Sequence, residues 1–268
     1  MLAEVDRLEE ILSGWSTTSE LAGWQATRDV AVLVSDELAE VLEAAEAWRV
    51  CTGGAFNPAA VSLVEPLRDG RPVHELLRAM RQPLWAVDRE RGVASRLTRL
   101  TISLDALAKG YIVERAAARA RLVDGVTQAL VNIGGDLRHL GDRPLTVGVA
   151  DPRAPAENAP PLATVRIRDE ALATSGGYRR GFTMNARAVS HILDPCTGAP
   201  AERVLSASVI APDCMTADAL STAFSVLAPA ESVALADALP GVACLLVESD
   251  GTVTASATWT RRTATGTT

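Results

Sequence analysis

The sequence predicts an α+β fold built as one compact unit, with a helical N-terminal part and a strand-rich C-terminal part. Three observations support this. The first half carries amphipathic and capped helical stretches. The second half turns to short runs rich in β-branched residues, interleaved with two more helical patterns. No repeat and no linker interrupts the 268 residues, a length that can bury a full core.

Val5, Leu8, Ile11 and Leu12 share one face of a helix over residues 2–12. Ser35 followed by Asp36 and Glu37 reads as an N-cap with an acidic first turn, opening a helix that runs to about Trp48. Thr52-Gly53-Gly54 stops it. Residues 105–121 form a further helix, expected to be broken near its start by Gly110. Strands are predicted at Gln128–Ile133, Leu145–Ala150, Ala163–Ile167, Leu205–Ala211 and Val242–Val247. Helices are predicted at about 216–227 and 230–239. The proline-rich stretch Asp151–Pro161 is a surface loop. The folded unit is expected to span residues 1–259, with 260–268 a frayed tail.

Apolar residues make up 48% of the chain but aromatics only 4%, so the core rests on Leu, Val and Ala. A net charge of −7 argues against a general nucleic-acid surface, which needs clustered cations. Lys109 is the only lysine in a chain whose other cations are arginines. A compact point charge in a tight site and compositional chance explain it about equally well. Cys51, Cys196, Cys214 and Cys244 have no C-x-x-C spacing, so neither a zinc site nor a disulfide is implied. Cys51 and Cys244 read as buried small hydrophobes. The polar, acidic start has no apolar signal core, and no segment reaches membrane-spanning length. The chain as given therefore reads as cytoplasmic, with an exported or anchored form open if a leader precedes it.

Ser190-His191-Ile192-Leu193-Asp194-Pro195-Cys196-Thr197-Gly198 gathers an imidazole, a carboxylate, hydroxyls and a thiol ahead of turn signals. His191 is either a hydrogen-bonded structural histidine or a general base poised by Asp194. Cys196 lacks the third orienting group that a nucleophile needs. Gly53-Gly54-Ala55-Phe56-Asn57-Pro58 permits close backbone approach, with Phe56 either stacked on a flat ligand or in the core. Lys109 near a helix start suits a phosphate, although most lysines are solvated. Val131-Asn132-Ile133-Gly134-Gly135-Asp136 is a strand entering a double glycine, either a ligand approach or a plain turn. Asp218 and Thr222 lie four apart on a helix and offer hard oxygen ligands suited to Mg²⁺, or simply a favourable acid at a helix N-terminus.

Thr-Gly-Gly-Ala-Phe-Asn-Pro, Ala-Lys-Gly-Tyr, Val-Asn-Ile-Gly-Gly-Asp, Ala-Thr-Ser-Gly-Gly-Tyr, Ser-His-Ile-Leu-Asp-Pro-x-Thr-Gly and Ala-Asp-Ala-Leu-Ser-Thr occur in that order. Their succession over roughly residues 13–250 resembles the ApbE family, the FAD:protein FMN transferases. The resemblance implies an α+β flavin-binding unit. It implies Mg²⁺-dependent attack on the FAD pyrophosphate, with FMN passing to a threonine or serine of an acceptor protein and AMP leaving. It further implies Mg²⁺ ligation by Asp218, Thr222 and the main-chain carbonyl of Ala106. FAD contacts fall at Ala55, Phe56, Asn57, Ser103, Lys109 and Ile192, and His191 is the base. A hydroxyl is a poor nucleophile until a base assists it, which fits a histidine here.

Several positions depart from the family pattern. Ser103 and Asn57 stand where aspartate is common, Gln25 where asparagine is usual, and Cys196 where arginine is frequent. The family's first strand, with its Met-Gly-Thr-like segment, has no counterpart before Leu2, which is expected to weaken FAD binding. Two other activities compete with transfer: Mg²⁺-dependent hydrolysis of FAD to FMN and AMP, and flavin binding without catalysis. The retained His191 favours an enzyme, since binding alone does not require it.

Overall fold

Side-chain caps set where several of the helices begin. The structure is a computed structural model and describes residues 1–154, 156, 159–177, 181–184, 187–190 and 192–264, with backbone alone at 181–184, 187–189 and 264. Helix α1 (Leu2–Leu12) buries Leu8 and Leu12. Helix α2 (Glu20–Gln25) starts where the Ser19 side chain accepts from Ala22 N. After strand β1 (Ala31–Leu33), helix α3 (Asp36–Cys51) starts in the same way, with Ser35 accepting from Leu38 N. The cap is the one the sequence predicts, but α3 runs past Trp48 to Cys51, and the Cys51 thiol is exposed rather than buried.

Short helices α4 (Val64–Arg68) and α5 (His74–Met80) lead to strands β2 (Trp85–Asp88) and β3 (Val93–Arg96). These form a small antiparallel sheet of order β1-β3-β2. Helix α6 (Asp105–Arg121) is continuous, so the expected break at Gly110 is absent. Gly110 has a packing role instead. A Cβ there would overlap the carbonyl of Cys214 and lie 2.8 Å from the Met215 Cα, so glycine lets another backbone lie against α6.

Strand β4 (Ala129–Ile133) and strand β5 (Asp136–Leu140) form a hairpin in which Ile133 pairs with Asp136. The double glycine is its two-residue turn, with φ of +64° at Gly134 and +102° at Gly135. Strands β6 (Leu145–Val149) and β7 (Ala163–Ile167) make a separate antiparallel ribbon, followed by β8 (Ala171–Ser175). Strands β9 (Gly181–Met184) and β10 (Arg187–Ser190) pair with each other. Strand β11 (Val204–Ala211) leads into α7 (Cys214–Phe224), where Asp213 accepts from Thr216 N. Helix α8 (Pro229–Ala238), strands β12 (Ala243–Glu248) and β13 (Val253–Ala255) and helix α9 (Ala257–Ala264) complete the described chain. Residues 260–264 are therefore helical rather than frayed, anchored by the buried ring of Trp259.

The main sheet is antiparallel, of order β13-β12-β11-β8-β5-β4. Alternation sends Ala171, Ala173, Ala207, Val209 and Ala211 into a large core shared with α6 and α7. Leu172, Ile210 and Leu245 go into a smaller cluster with Val165, Ile167 and Trp259. Helices α6 and α7 lie on the face lined by small residues, and that face carries the candidate site.

Candidate active site

Three charged side chains meet where α6, β5 and the middle of α7 converge. Lys109 Nζ lies 2.7 Å from Asp136 Oδ2 and 3.9 Å from Asp218 Oδ1. Asp136 and Asp218 are almost fully buried, whereas Lys109 is part-exposed at 39%. The Lys109–Asp136 contact is a charge contact, because Asp136 Oδ2 has no well-directed hydrogen bond. Asp218 Oδ2 accepts from the Gly110 backbone N–H at 3.0 Å. The regular helical acceptor for that N–H is the carbonyl of Ala106, so Asp218 sits beside the carbonyl predicted as a ligand.

Hydroxyls complete one side. Ser175 Oγ, at the end of β8, is 2.8 Å from Ser221 Oγ and 3.3 Å from Thr222 Oγ1. Ser221 Oγ donates to the Asp218 carbonyl at 2.9 Å. Asp218 and Thr222 share a face of α7, as their four-residue spacing predicts, with Asp218 buried and Thr222 half-buried. Asp218 lies in the middle of α7, not at its N-terminus, so the plain reading of a helix-start acid does not apply.

Burial pushes the Asp218 carboxyl well above the usual carboxylate range, and the neighbouring Asp136 charge pushes it further. Burial raises Asp136 as well, although Lys109 opposes it. Lys109 is shifted upward: burial works against its charge, but Asp218 and Asp136 outweigh that. When both carboxyls are ionised, two negative charges face one ammonium among the described residues. The cluster is then one positive charge short, and a buried unpaired charge is costly. A hard divalent cation fits that deficit, with a carboxylate, a hydroxyl and a carbonyl as donors. Among the described residues no cluster of three or more His, Cys, Asp or Glu side chains forms a metal cage. A cation here would therefore need main-chain, hydroxyl and ligand oxygens beside Asp218.

The predicted flavin-contact residues form a second group. Ser103 N donates to the Pro58 carbonyl at 2.8 Å, tying the Asn57-Pro58 turn to the start of α6. Asn57 Nδ2 donates to the Met80 carbonyl, and its Oδ1 accepts from Ala59 N. A cleft of about 430 Å³ opens here, lined by Arg49, Gly53, Gly54, Asn57, Arg81 and Cys196. Ala55 is buried, and the Phe56 ring lies in the main core at 2% exposure, so it does not stack on an open ligand face. Of that tripeptide, the side chain that lines the cleft is Asn57.

Pro195 and Cys196 close the other side of this cleft. Both Asp194 carboxylate oxygens are taken up within the turn, Oδ1 by Cys196 N and Oδ2 by Thr197 Oγ1, each at 2.7 Å. Asp194 thus builds the turn. Ile192 is half-buried, and its N–H donates to Ser190 Oγ at 3.0 Å. Cys196 Sγ lies 3.8 Å from the Gly53 carbonyl, and burial raises its thiol above the ordinary value, which does not favour a nucleophilic thiolate. His191 lies outside the described residues.

Sequence reasoning missed Asp136 and Ser175. Asp136 closes the quoted Gly-Gly-Asp motif, but its turn geometry hid its role as the partner of Lys109. Ser175 lies in the quoted Ala-Thr-Ser-Gly-Gly-Tyr motif, and only strand pairing brings it to α7. Gln25 also gains a role, because its Oε1 accepts from Ile102 N at 3.0 Å and braces the segment entering α6.

Comparison with known proteins identifies the family. The family model described as the ApbE family matches residues 1–246. A FAD:protein FMN transferase of Treponema pallidum is 32% identical over 278 residues, covering 93% of this chain and 76% of that protein. One from Vibrio cholerae is 30% identical, covering 92% and 79%. The crystal structure of the ApbE protein from Thermotoga maritima superposes with a TM-score of 0.86 at 29% identity, covering 98% of this chain and 89% of that one. The apo form of the Pseudomonas stutzeri flavinyl transferase ApbE gives 0.82 at 25% identity, covering 99% and 87%. With the family model spanning most of its length and these relatives nearly all of it, the chain belongs to the ApbE family.

Proposed function

We propose that this chain is a flavin transferase that moves FMN from FAD to a threonine or serine hydroxyl of an acceptor protein, with Mg²⁺, and releases AMP. The observation that carries the reading is the Lys109–Asp136–Asp218 cluster, two buried carboxyls facing one ammonium, in a chain whose relatives are named FAD:protein FMN transferases. The acceptor oxygen attacks the FMN phosphorus, and the bond from that phosphorus to the AMP oxygen breaks. The hydroxyl proton passes to His191, and AMP departs with the bridging oxygen.

Each described residue has a task. Lys109, held by Asp136, presents an ammonium to the pyrophosphate oxygens and stabilises charge that grows as AMP leaves. Asp218, Thr222 and the Ala106 carbonyl would hold Mg²⁺. When bound, Mg²⁺ neutralises phosphate charge and orients the pyrophosphate. Asn57, Ser103 and Ile192, with the backbone at Ala55 and Phe56, would bind and orient FAD.

The test is to incubate the protein with FAD, Mg²⁺ and a candidate acceptor domain, then follow AMP release and acceptor mass. A gain of one FMN on the acceptor together with AMP supports transfer. AMP without an adduct replaces transfer with hydrolysis, and no AMP leaves a flavin binder.

A further inference from the structure

We infer that Glu114 is a positioning residue that fixes α7 against α6 and β5 and so sets the spacing of Lys109, Asp136 and Asp218. Glu114 lies one turn beyond Gly110 on α6, on the same face. Its Oε2 accepts from Cys214 N at 2.9 Å. Cys214 is the first residue of α7, where backbone N–H groups have no helical partner and the helix end favours a negative charge. One turn along α7 stands Asp218, whose Oδ2 takes the Gly110 N–H. Two reciprocal bonds one turn apart thus join the helices: α6 backbone to α7 carboxylate, and α7 backbone to α6 carboxylate.

The other oxygen of Glu114 reaches the sheet. Oε1 accepts from Arg138 Nε at 2.9 Å. Arg138 is buried on β5 two residues after Asp136, and so on the same face of the strand. Glu114 therefore grips α7 one turn before Asp218 and β5 two residues after Asp136, while its own helix carries Lys109. It touches none of the three charged groups. A sliding of α7 by a fraction of a turn would separate Asp218 from Lys109, and a displacement of about 1 Å in such a site costs about 10²-fold in rate.

This inference rests on the proposed transferase reading for its kinetic consequence, and on geometry alone for its structural one. The experiment compares Glu114→Ala, Glu114→Gln and a control, Glu170→Ala. Glu170 pairs bidentately with Arg262 at 2.6 and 2.7 Å, away from the α6–α7 contact. Amide hydrogen exchange at Gly110 is read in the metal-free protein, and kcat and KM for FAD are read from AMP release.

Glu114→Ala is expected to speed Gly110 exchange about tenfold or more relative to the other amides of α6. It should lower kcat about 10²-fold with KM for FAD little changed. Glu114→Gln keeps an oxygen for Cys214 N but turns an amide N–H₂ toward the Arg138 donor, so it should leave Gly110 exchange near wild type while lowering kcat less than Glu114→Ala does. Glu170→Ala should lower the melting temperature while leaving Gly110 exchange and kcat unchanged. Gly110 exchange that responds equally to Glu114→Ala and Glu170→Ala, or does not respond to Glu114→Ala, overturns the inference. Should Glu114→Ala fail to fold, Glu114→Gln decides at Gly110: exchange near wild type supports the inference, and exchange sped about tenfold or more with the Cys214 bond kept contradicts it. A wild-type protein that releases no AMP sinks the transferase reading alone, because Gly110 exchange still tests the positioning role.

Discussion

The two faces of the main sheet bury different chemistry. Toward α6 and α7 the strands offer Ala171, Ala173, Ala207 and Ala211, small enough to let the helices close in. Buried within reach of that face are Asp136, Asp218, Ser221 and the Arg138 guanidinium. The opposite face offers Leu137, Leu172, Ile210 and Leu245 to the β6–β7 ribbon and Trp259. On the second face the buried polar side chains are the Ser206 and Ser208 hydroxyls and the His139 imidazole, with no carboxylate, and packing accounts for the rest. It does not explain the first, where buried charge works against folding and needs another reason to persist. The proposed transfer site would supply that reason.

Mutations on the two faces should therefore fail in different ways. The largest effect is expected from Asp218→Asn, which removes a carboxylate without changing shape. Mg²⁺-dependent AMP release should fall about 10³-fold or more, the loss of several kcal/mol of charge stabilisation. The metal-free melting temperature should hold or rise, because asparagine keeps an oxygen for the Gly110 N–H without a carboxyl whose ionisation burial disfavours. Lowered stability together with normal turnover would erase the contrast between the faces.

Trp259→Ala should behave in the opposite sense. Emptying a fully buried aromatic site costs about 3–5 kcal/mol, read by denaturant unfolding. Turnover per folded molecule should stay near wild type at temperatures where the variant remains folded. Lys109→Gln sharpens the comparison within the polar face. Losing the only ammonium beside both carboxylates should lower kcat about 10²-fold, measured as AMP release.

A smaller effect comes from the periphery. Arg7 hydrogen-bonds Glu4 at 2.8 Å and holds the Glu4 carboxyl below its ordinary value of 4.5. The folded pKa is lowered, so the stabilisation is present above the ordinary value and fades as pH falls through the folded one. As a surface pair it is worth less than about 1 kcal/mol. Arg7→Gln should flatten the part of the melting-temperature curve below about pH 4.5 that Glu4 contributes. An unchanged acid limb would remove Glu4 from the account.

Local signals were legible in the sequence wherever local physics decides. The apolar stripe of α1, the Ser35 cap and the turn residues around Gly198 depend on near neighbours, and the structure follows them. Asp218 and Thr222 were legible as a pair because four-residue spacing is a helical property. Partners distant in sequence were not. Gly110 reads as a break in isolation, and only the close approach of the Cys214 and Met215 backbone at the start of α7 explains a glycine within a continuous helix. Asp136 reads as the end of a turn until β5 pairs with β8 and faces α6. The short β1-β3-β2 sheet escaped notice because three- and four-residue strands carry too little alternation to register. Trp259 drew no attention in a Thr-rich tail, yet it anchors α9.

The central claim is that the helix-facing carboxylates form a charge-deficient site for a divalent cation. The most direct test is the melting temperature of the FAD-loaded protein with and without Mg²⁺, for wild type and for Asp218→Asn. A cation that binds only the folded state stabilises it by about 2.7 kcal/mol at a hundred times its dissociation constant. The account predicts that Mg²⁺ raises the melting temperature of wild type and leaves that of Asp218→Asn unchanged. An equal rise in both, or none in wild type, would contradict it.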